Sequence, residues 1–246
     1  MQALLKLLFI SAENLDNPFT ETSIIGTMQA TDEPCYFHSF GMTENYLIVF
    51  EAPLRLNLQS DDFSNLDCLF WKKDTPVFVR ILDKRSGKEV EQQFRHAPFF
   101  VFHHTNAFEK DGCLVVDYCQ FPDPDLHVFD LKNLRRGSLA AQSGGKLSFG
   151  SRMVIPIEIE IGNFKAGDDL LDGFEFPRYN LNYNLKPYKF IYGSILLGLP
   201  ESLCGLIKVN ADTGEIITWK RDHKKQIATE PVFIPHPEAK DEDDGD

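Results

Sequence analysis

Short apolar runs rich in Val, Ile, Phe and Tyr recur along the chain, separated by Gly, Pro, Asn and Asp. They predict strands over 46–51, 76–82, 99–103, 113–118, 127–131, 153–161, 188–195, 206–209, 216–220 and 232–235. No stretch shows the 3.6-residue periodicity of a long amphipathic helix. One helical turn is expected over 132–137 and a small-residue surface loop over 138–145. Two stretches share a hairpin pattern. Residues 77–83 run into a turn holding Gly87, and residues 206–212 into a turn holding Gly214. Each glycine stands where a tight turn needs positive φ. Repeated hairpins of this kind build β-propeller blades, although a β-sandwich would show them too.

Composition narrows the class. The chain of 246 residues is 43% hydrophobic and 12% aromatic, with 21 Phe, enough for a sizeable packed core. A formal net charge of −12, part of it in the acidic run 241–246, excludes a nucleic-acid backbone as partner. The five cysteines (Cys35, Cys68, Cys113, Cys119, Cys204) show no CxxC spacing. Such a set fits buried thiols in a reducing compartment. The apolar start of the chain is broken by Lys6, and no run approaches the ~18 apolar residues of a membrane span.

The chemistry-bearing signal is a repeat. Phe37-His38-Ser39-Phe40-Gly41 and Phe102-His103-His104-Thr105-Asn106 each place a histidine after a phenylalanine at an expected strand end, and each is followed by an apolar strand. Histidines at the same point of two repeated β-units would converge on one axis, where they could hold a metal. Neighbours on a strand face opposite sides, so only one of His103 and His104 can reach that axis. The repeat selects His103, since it and His38 both follow a Phe. His96, His127, His223 and His236 sit in polar or turn contexts and read as structural or surface residues. Phe37, Phe40, Phe99, Phe100 and Phe102 surround the pair with aromatic side chains, which would suit a long apolar ligand as well as ordinary packing.

These segments resemble two ligand motifs of the carotenoid cleavage oxygenases, in particular the animal branch with its β-carotene oxygenases and retinoid isomerase. Phe174-Glu175-Phe176-Pro177, Lys186-Pro187-Tyr188 to Gly193, and Glu230-Pro231-Val232-Phe233 continuing to Glu242-Asp243-Asp244-Gly245 follow in family order over 23–246. The resemblance implies an all-β, seven-bladed propeller with Fe(II) on its axis, held by four histidines. Here it is partial: at roughly 40–50 residues per blade the chain makes about five blades. By motif, His38 and His103 would be metal ligands, while Glu175 and Glu242 would be glutamates behind them. Glu44 and Glu109 match no family role and read as turn residues. Residues 1–22 match the family poorly and form a divergent N-terminal segment ahead of the partial propeller domain, 23–246. The family's first and fourth ligand motifs find no counterpart, and the interval 161–174 is short. A truncated product is therefore expected.

The resemblance implies a non-haem iron dioxygenase that cleaves a carotenoid double bond with O2 to give apocarotenoid or retinal aldehydes. The partners implied are a hydrophobic polyene (carotenoid or retinoid) and O2, with peripheral membrane contact and no nucleic acid. The location implied is cytoplasmic, or mitochondrial as in some animal relatives. Two other readings stand beside this one: an inactive family fragment, and a retinoid isomerohydrolase-like activity.

Overall fold

The computed structural model describes residues 4–10, 22–29, 33–59, 68–122, 124, 126, 149–156, 174–195, 205–223, 226 and 228–246. The described strands are β1 (Leu4–Ile10), β2 (Thr22–Gln29), β3 (Gly41–Met42), β4 (Tyr46–Glu51), β5 (Leu54–Leu56), β6 (Leu69–Trp71), β7 (Val77–Asp83) and β8 (Lys88–Glu89). They continue as β9 (Phe94–His96), β10 (Phe100–Lys110), β11 (Cys113–Phe121), β12 (Phe149–Pro156), β13 (Phe174–Arg178), β14 (Phe190–Ile195), β15 (Gly205–Asn210) and β16 (Ile216–Lys220). A 3-10 turn spans Leu181–Tyr183. The expected strand 127–131, the turn and loop over 132–145, and residues 157–161 lie outside the described residues.

Three antiparallel sheets have blade form: β3-β4-β7-β8 with β9 also on β7, β10-β11-β12, and β13-β14-β15-β16. Two-stranded ribbons, β1-β2 and β5-β6, accompany them. The alternation along each strand explains why the blades stack. On β4, Ile48 and Phe50 enter one core while Leu47 and Val49 enter another. On β11, Leu114, Val116 and Tyr118 pack toward β4 and β7, whereas Val115 and Cys119 pack toward β13, β14 and β15. A strand buried on both faces must read as a continuous apolar run, and 113–118 does. Each fully buried large side chain here, such as Leu114, Ile48 or Ile155, contributes about 1.5–3 kcal/mol.

Both turn glycines behave as the sequence requires. Gly87 has φ of 66° and Gly214 has φ of 74°, and each closes its hairpin, β7–β8 and β15–β16. Two expectations fail. The strand at 99–103 does not stop at His103 but continues to Lys110, because the polar side chains of Thr105 and Asn106 are buried rather than exposed at a turn. Residues 232–235 form no strand: Pro231, Pro235 and Pro237 cannot donate to a ladder. That segment makes only an isolated bridge from Pro235 to Gly245, with Val232 and Ile234 exposed.

Glu109 is not a turn residue. It sits on β10 and its carboxylate accepts from the Thr43 hydroxyl at 2.7 Å, the Asn45 backbone N–H at 2.9 Å and the Asn45 amide at 2.9 Å. It thereby ties β10 to the β3–β4 turn that carries Glu44. Burial opposes the ion, but the hydrogen bonds from Thr43 and Asn45 outweigh it and hold the carboxyl below the ordinary range. A depressed carboxylate contributes stability above its unfolded pKa, and that contribution is lost as pH falls through the folded value. Glu109→Gln should therefore lower stability at pH 7 and flatten the acid limb of a urea-midpoint versus pH profile. An unchanged limb would show that the clamp contributes nothing.

Candidate metal centre

The first strands of the three blade sheets, β3, β10 and β13, adjoin one another in the order β3, β10, β13. Each brings one chemically notable side chain to the common edge. His38 lies just before β3, His103 on β10 and Glu175 on β13. The His38 and His103 ring centroids stand 5.1 Å apart with the planes at 90°. His103 Nδ1 lies 2.6 Å from Glu175 Oε2. Glu175 is an acceptor when ionised, so the ring donates from Nδ1 and keeps its lone pair on Nε2.

Local irregularity aims these groups. The pairing of β10 with β11 slips between Val101 and His104 and again between His104 and Asn106. Two bulges so close together turn the intervening side chains out of the ladder. A third slip, between Glu175 and Arg178, accompanies Phe176 at φ of 52°, a left-handed conformation unusual for an aromatic residue. That backbone turn directs the Phe176 N–H onto Glu175 Oε2 at 2.8 Å, so one carboxylate oxygen receives both the ring and the main chain. The other oxygen, Oε1, is buried with no partner among the described residues.

His38 Nδ1 lies 3.0 Å from the Tyr36 hydroxyl. For His38 to present an Nε2 lone pair, Nδ1–H must donate to the phenolic oxygen. Burial, and next the neighbouring His103, push the His38 imidazole below its ordinary pKa, leaving the neutral, ligating form at pH 7. His104 points the other way. Its ring packs against Phe50 at 4.9 Å and Tyr118 at 6.2 Å, with Nδ1 2.7 Å from Ser39 Oγ. Burial pushes its pKa down to about 3.

Of the aromatic residues expected around the pair, Phe102 stands 5.2 Å from His38 in an edge-on contact. Phe176, which sequence reasoning did not single out, stands 5.5 Å from His103. Phe99 is in the core, Phe37 packs toward Met28, Leu47, Val49 and Leu82, and Phe40 is half exposed. His96 bonds the Ala97 carbonyl and His236 accepts the Glu238 N–H, both local contacts, while His127 lies outside the described residues.

Glu242 is placed elsewhere. Its carboxylate accepts the Lys189 N–H at 2.8 and 2.9 Å and the Phe190 N–H at 2.7 Å, at the start of β14. Glu175 pairs with Ser194, near the far end of that strand. Four residues of strand separate the two positions by about 13 Å. Glu242 anchors the 240–246 segment to the blade and does not support His103. Glu230, which follows the Thr229 carbonyl bonded by Ser194, is exposed and pairs with Arg178 at 2.7 Å. A cavity of about 980 Å³ lined by Phe108, Arg152, Tyr188 and Glu242 opens on the Glu242 side, away from the two rings.

Among the described residues no group of three or more His, Cys, Asp or Glu could hold a metal alone. The donor set nevertheless fits half of an imidazole centre. It has two converging rings, one with its far nitrogen on a buried carboxylate, as ligating histidines ordinarily have.

Blades stacked about an edge where imidazoles converge define a β-propeller with an axial candidate metal site. The family described as retinal pigment epithelial membrane protein matches residues 8–245. The chain belongs to this family, that of the carotenoid oxygenases. It is 29% identical over 243 residues to β,β-carotene 15,15'-dioxygenase of Gallus gallus, covering 87% of this chain and 46% of that protein. It is 30% identical over 269 residues to the mitochondrial carotenoid-cleaving dioxygenase of Pongo abelii, covering 90% and 47%. Among solved structures, cobalt-substituted Synechocystis ACO superposes with a TM-score of 0.73 at 21% identity, over 99% of this chain and 49% of that one. An ACO/RPE65 chimera gives 0.72 at 21% identity, over 99% and 49%. The fold is thus the carotenoid oxygenase propeller in part, and the chain spans about half the length of the curated relatives it matches. The match begins at residue 8, inside the segment expected to diverge, where β1 pairs with β2 along its whole length.

Proposed function

We propose that this chain supplies half of the iron centre of a carotenoid-cleaving dioxygenase, with His38 and His103 as ligands and Glu175 as the group that orients His103. The observation that carries this reading is the meeting of these three side chains from three inner strands. Fe(II) held there would supply a centre for O2 activation, which suits neutral imidazole donors.

The protein's own part is positional. Glu175 holds the His103 ring and its tautomer, and Tyr36 orients His38. Phe102 and Phe176 set apolar faces beside the rings, offering surface to a polyene. The curated relatives named as carotene and carotenoid dioxygenases support a carotenoid substrate with O2, and the proposed products are aldehydes. We place the protein in the cytoplasm. Cys35, Cys113 and Cys119 are free thiols, which suit a reducing compartment.

Anaerobic titration of the purified chain with Fe(II), followed by metal analysis after desalting, tests the centre. Iron is expected to be retained by the wild-type chain and lost from a His38→Ala/His103→Ala double variant. Equal retention in both would overturn the assignment.

A further inference from the structure

The two candidate ligands sit in stretches that the β-ladders do not hold. His38 lies between the Cys35–Arg55 bridge and β3, outside any named strand. His103 lies within the first slip of the β10–β11 register, between Val101 and His104. Ladder hydrogen bonds therefore fix neither ring, and 65 residues of chain separate them. Some other contact must set their spacing.

The residue after each histidine supplies it. The His104 backbone N–H donates to Ser39 Oγ at 3.0 Å, and the same oxygen lies 2.7 Å from His104 Nδ1. A hydroxyl has one hydrogen and two lone pairs. Oγ accepts the main-chain N–H, so its hydrogen is available to Nδ1 and both interactions are satisfied together. The His104 main chain, next to the slip that holds His103, is thus tied to the other blade. Among the described residues His104 Nε2 has no partner, so Ser39 is the only polar contact of this ring. Phe50 and Tyr118 pack the rest of it. A half-buried histidine whose ring is tied, among the described residues, only to a serine beside the other candidate ligand is well placed to fix geometry.

We propose that Ser39 and His104 form a positioning pair that joins the two blades immediately beside His38 and His103 and sets the separation of those rings. This rests on reading the rings as metal donors. Ser39 and His104 contact no metal themselves; they act through the main chain of their neighbours. The Glu109 clamp on Thr43 and Asn45 holds the same two strands farther along, so the fold persists when the nearer tie is cut.

The test is anaerobic Co(II) titration of the full chain, read by the visible ligand-field spectrum, with circular dichroism to confirm the sheet. Ser39→Ala is expected to weaken Co(II) binding about tenfold and to alter the band positions. Ser39→Thr, which keeps the hydroxyl, should restore both, and His104→Asn, which keeps an acceptor near the Nδ1 position, should bind better than His104→Leu. A folded Ser39→Ala chain with wild-type affinity and spectrum would overturn the positioning role while leaving the metal reading intact. A wild-type chain that leaves the Co(II) spectrum as it is in buffer would overturn the metal reading and this inference with it.

Discussion

Glu51→Ala should be among the most destabilising single changes in this chain, lowering stability by about 3–5 kcal/mol. Glu51 is buried and its two carboxylate oxygens meet two guanidinium groups: Oε1 lies 3.0 Å from Arg55 Nη1, and Oε2 lies 2.7 Å from Arg80 Nη1. The Arg55 side chain is fully buried, and among the described residues its Nη1 has, apart from Glu51, only the Glu33 carbonyl, at 2.8 Å. Its Nε and Nη2 have no partner among the described residues. Removing the carboxylate leaves a positive charge in the interior with one carbonyl to solvate it. Arg80 keeps Glu89 and is much less affected. The cost is the stranded charge, so an Arg55→Met change in the same background should recover much of the loss. Thermal melts of the two variants and the wild-type chain read this directly, with a melting temperature roughly 6–20 °C lower for the single variant. A Glu51→Ala chain within 1 kcal/mol of wild type would mean that Arg55 finds another acceptor.

That network shows where the sequence stops being readable. Alternation assigns Ile48 and Phe50 to one face of β4 and Leu47 and Val49 to the other, and the cores follow that division. Gly87 and Gly214 identify their hairpins because positive φ is a property of one residue and its turn. Glu51 and Arg55 are four apart in the sequence, a spacing that is informative in a helix and uninformative across the corner between β4 and β5. Their pairing depends on the corner, which no periodicity encodes. The site divides in the same way. A repeated Phe-His step singled out His38 and His103, and the side-chain alternation of a strand separated His103 from His104. The double bulge around His103 and His104, and the Ser39–His104 tie between positions 65 residues apart, leave no local pattern. Glu242 shows the opposite hazard: an acidic motif in family order suggested a supporting carboxylate, whereas backbone N–H groups at the start of β14 claim it.

Glu175→Gln should weaken metal binding by about 10–100-fold, and His103→Ala should abolish it. The two effects differ because the two side chains act at different removes from the proposed metal. His103 offers the donor nitrogen itself. Glu175 fixes which nitrogen that is: an ionised carboxylate at 2.6 Å requires Nδ1 to carry the proton, leaving Nε2 basic. A glutamine can still accept through its oxygen, but it lacks the negative charge, and its amide can instead present a donor to Nδ1. Either change makes Nε2 a poorer ligand without emptying the position. The Phe176 N–H, held against the same oxygen by its left-handed backbone, keeps a glutamine in place, so affinity should fall while the sheet survives. Parallel Co(II) titrations of wild-type, Glu175→Gln, His103→Ala and Glu242→Gln chains separate these roles. Glu242→Gln should leave affinity unchanged and lower stability, since its carboxylate serves Lys189 and Phe190. Equal affinity losses in the Glu175 and Glu242 variants would contradict the placement of Glu175 alone behind His103.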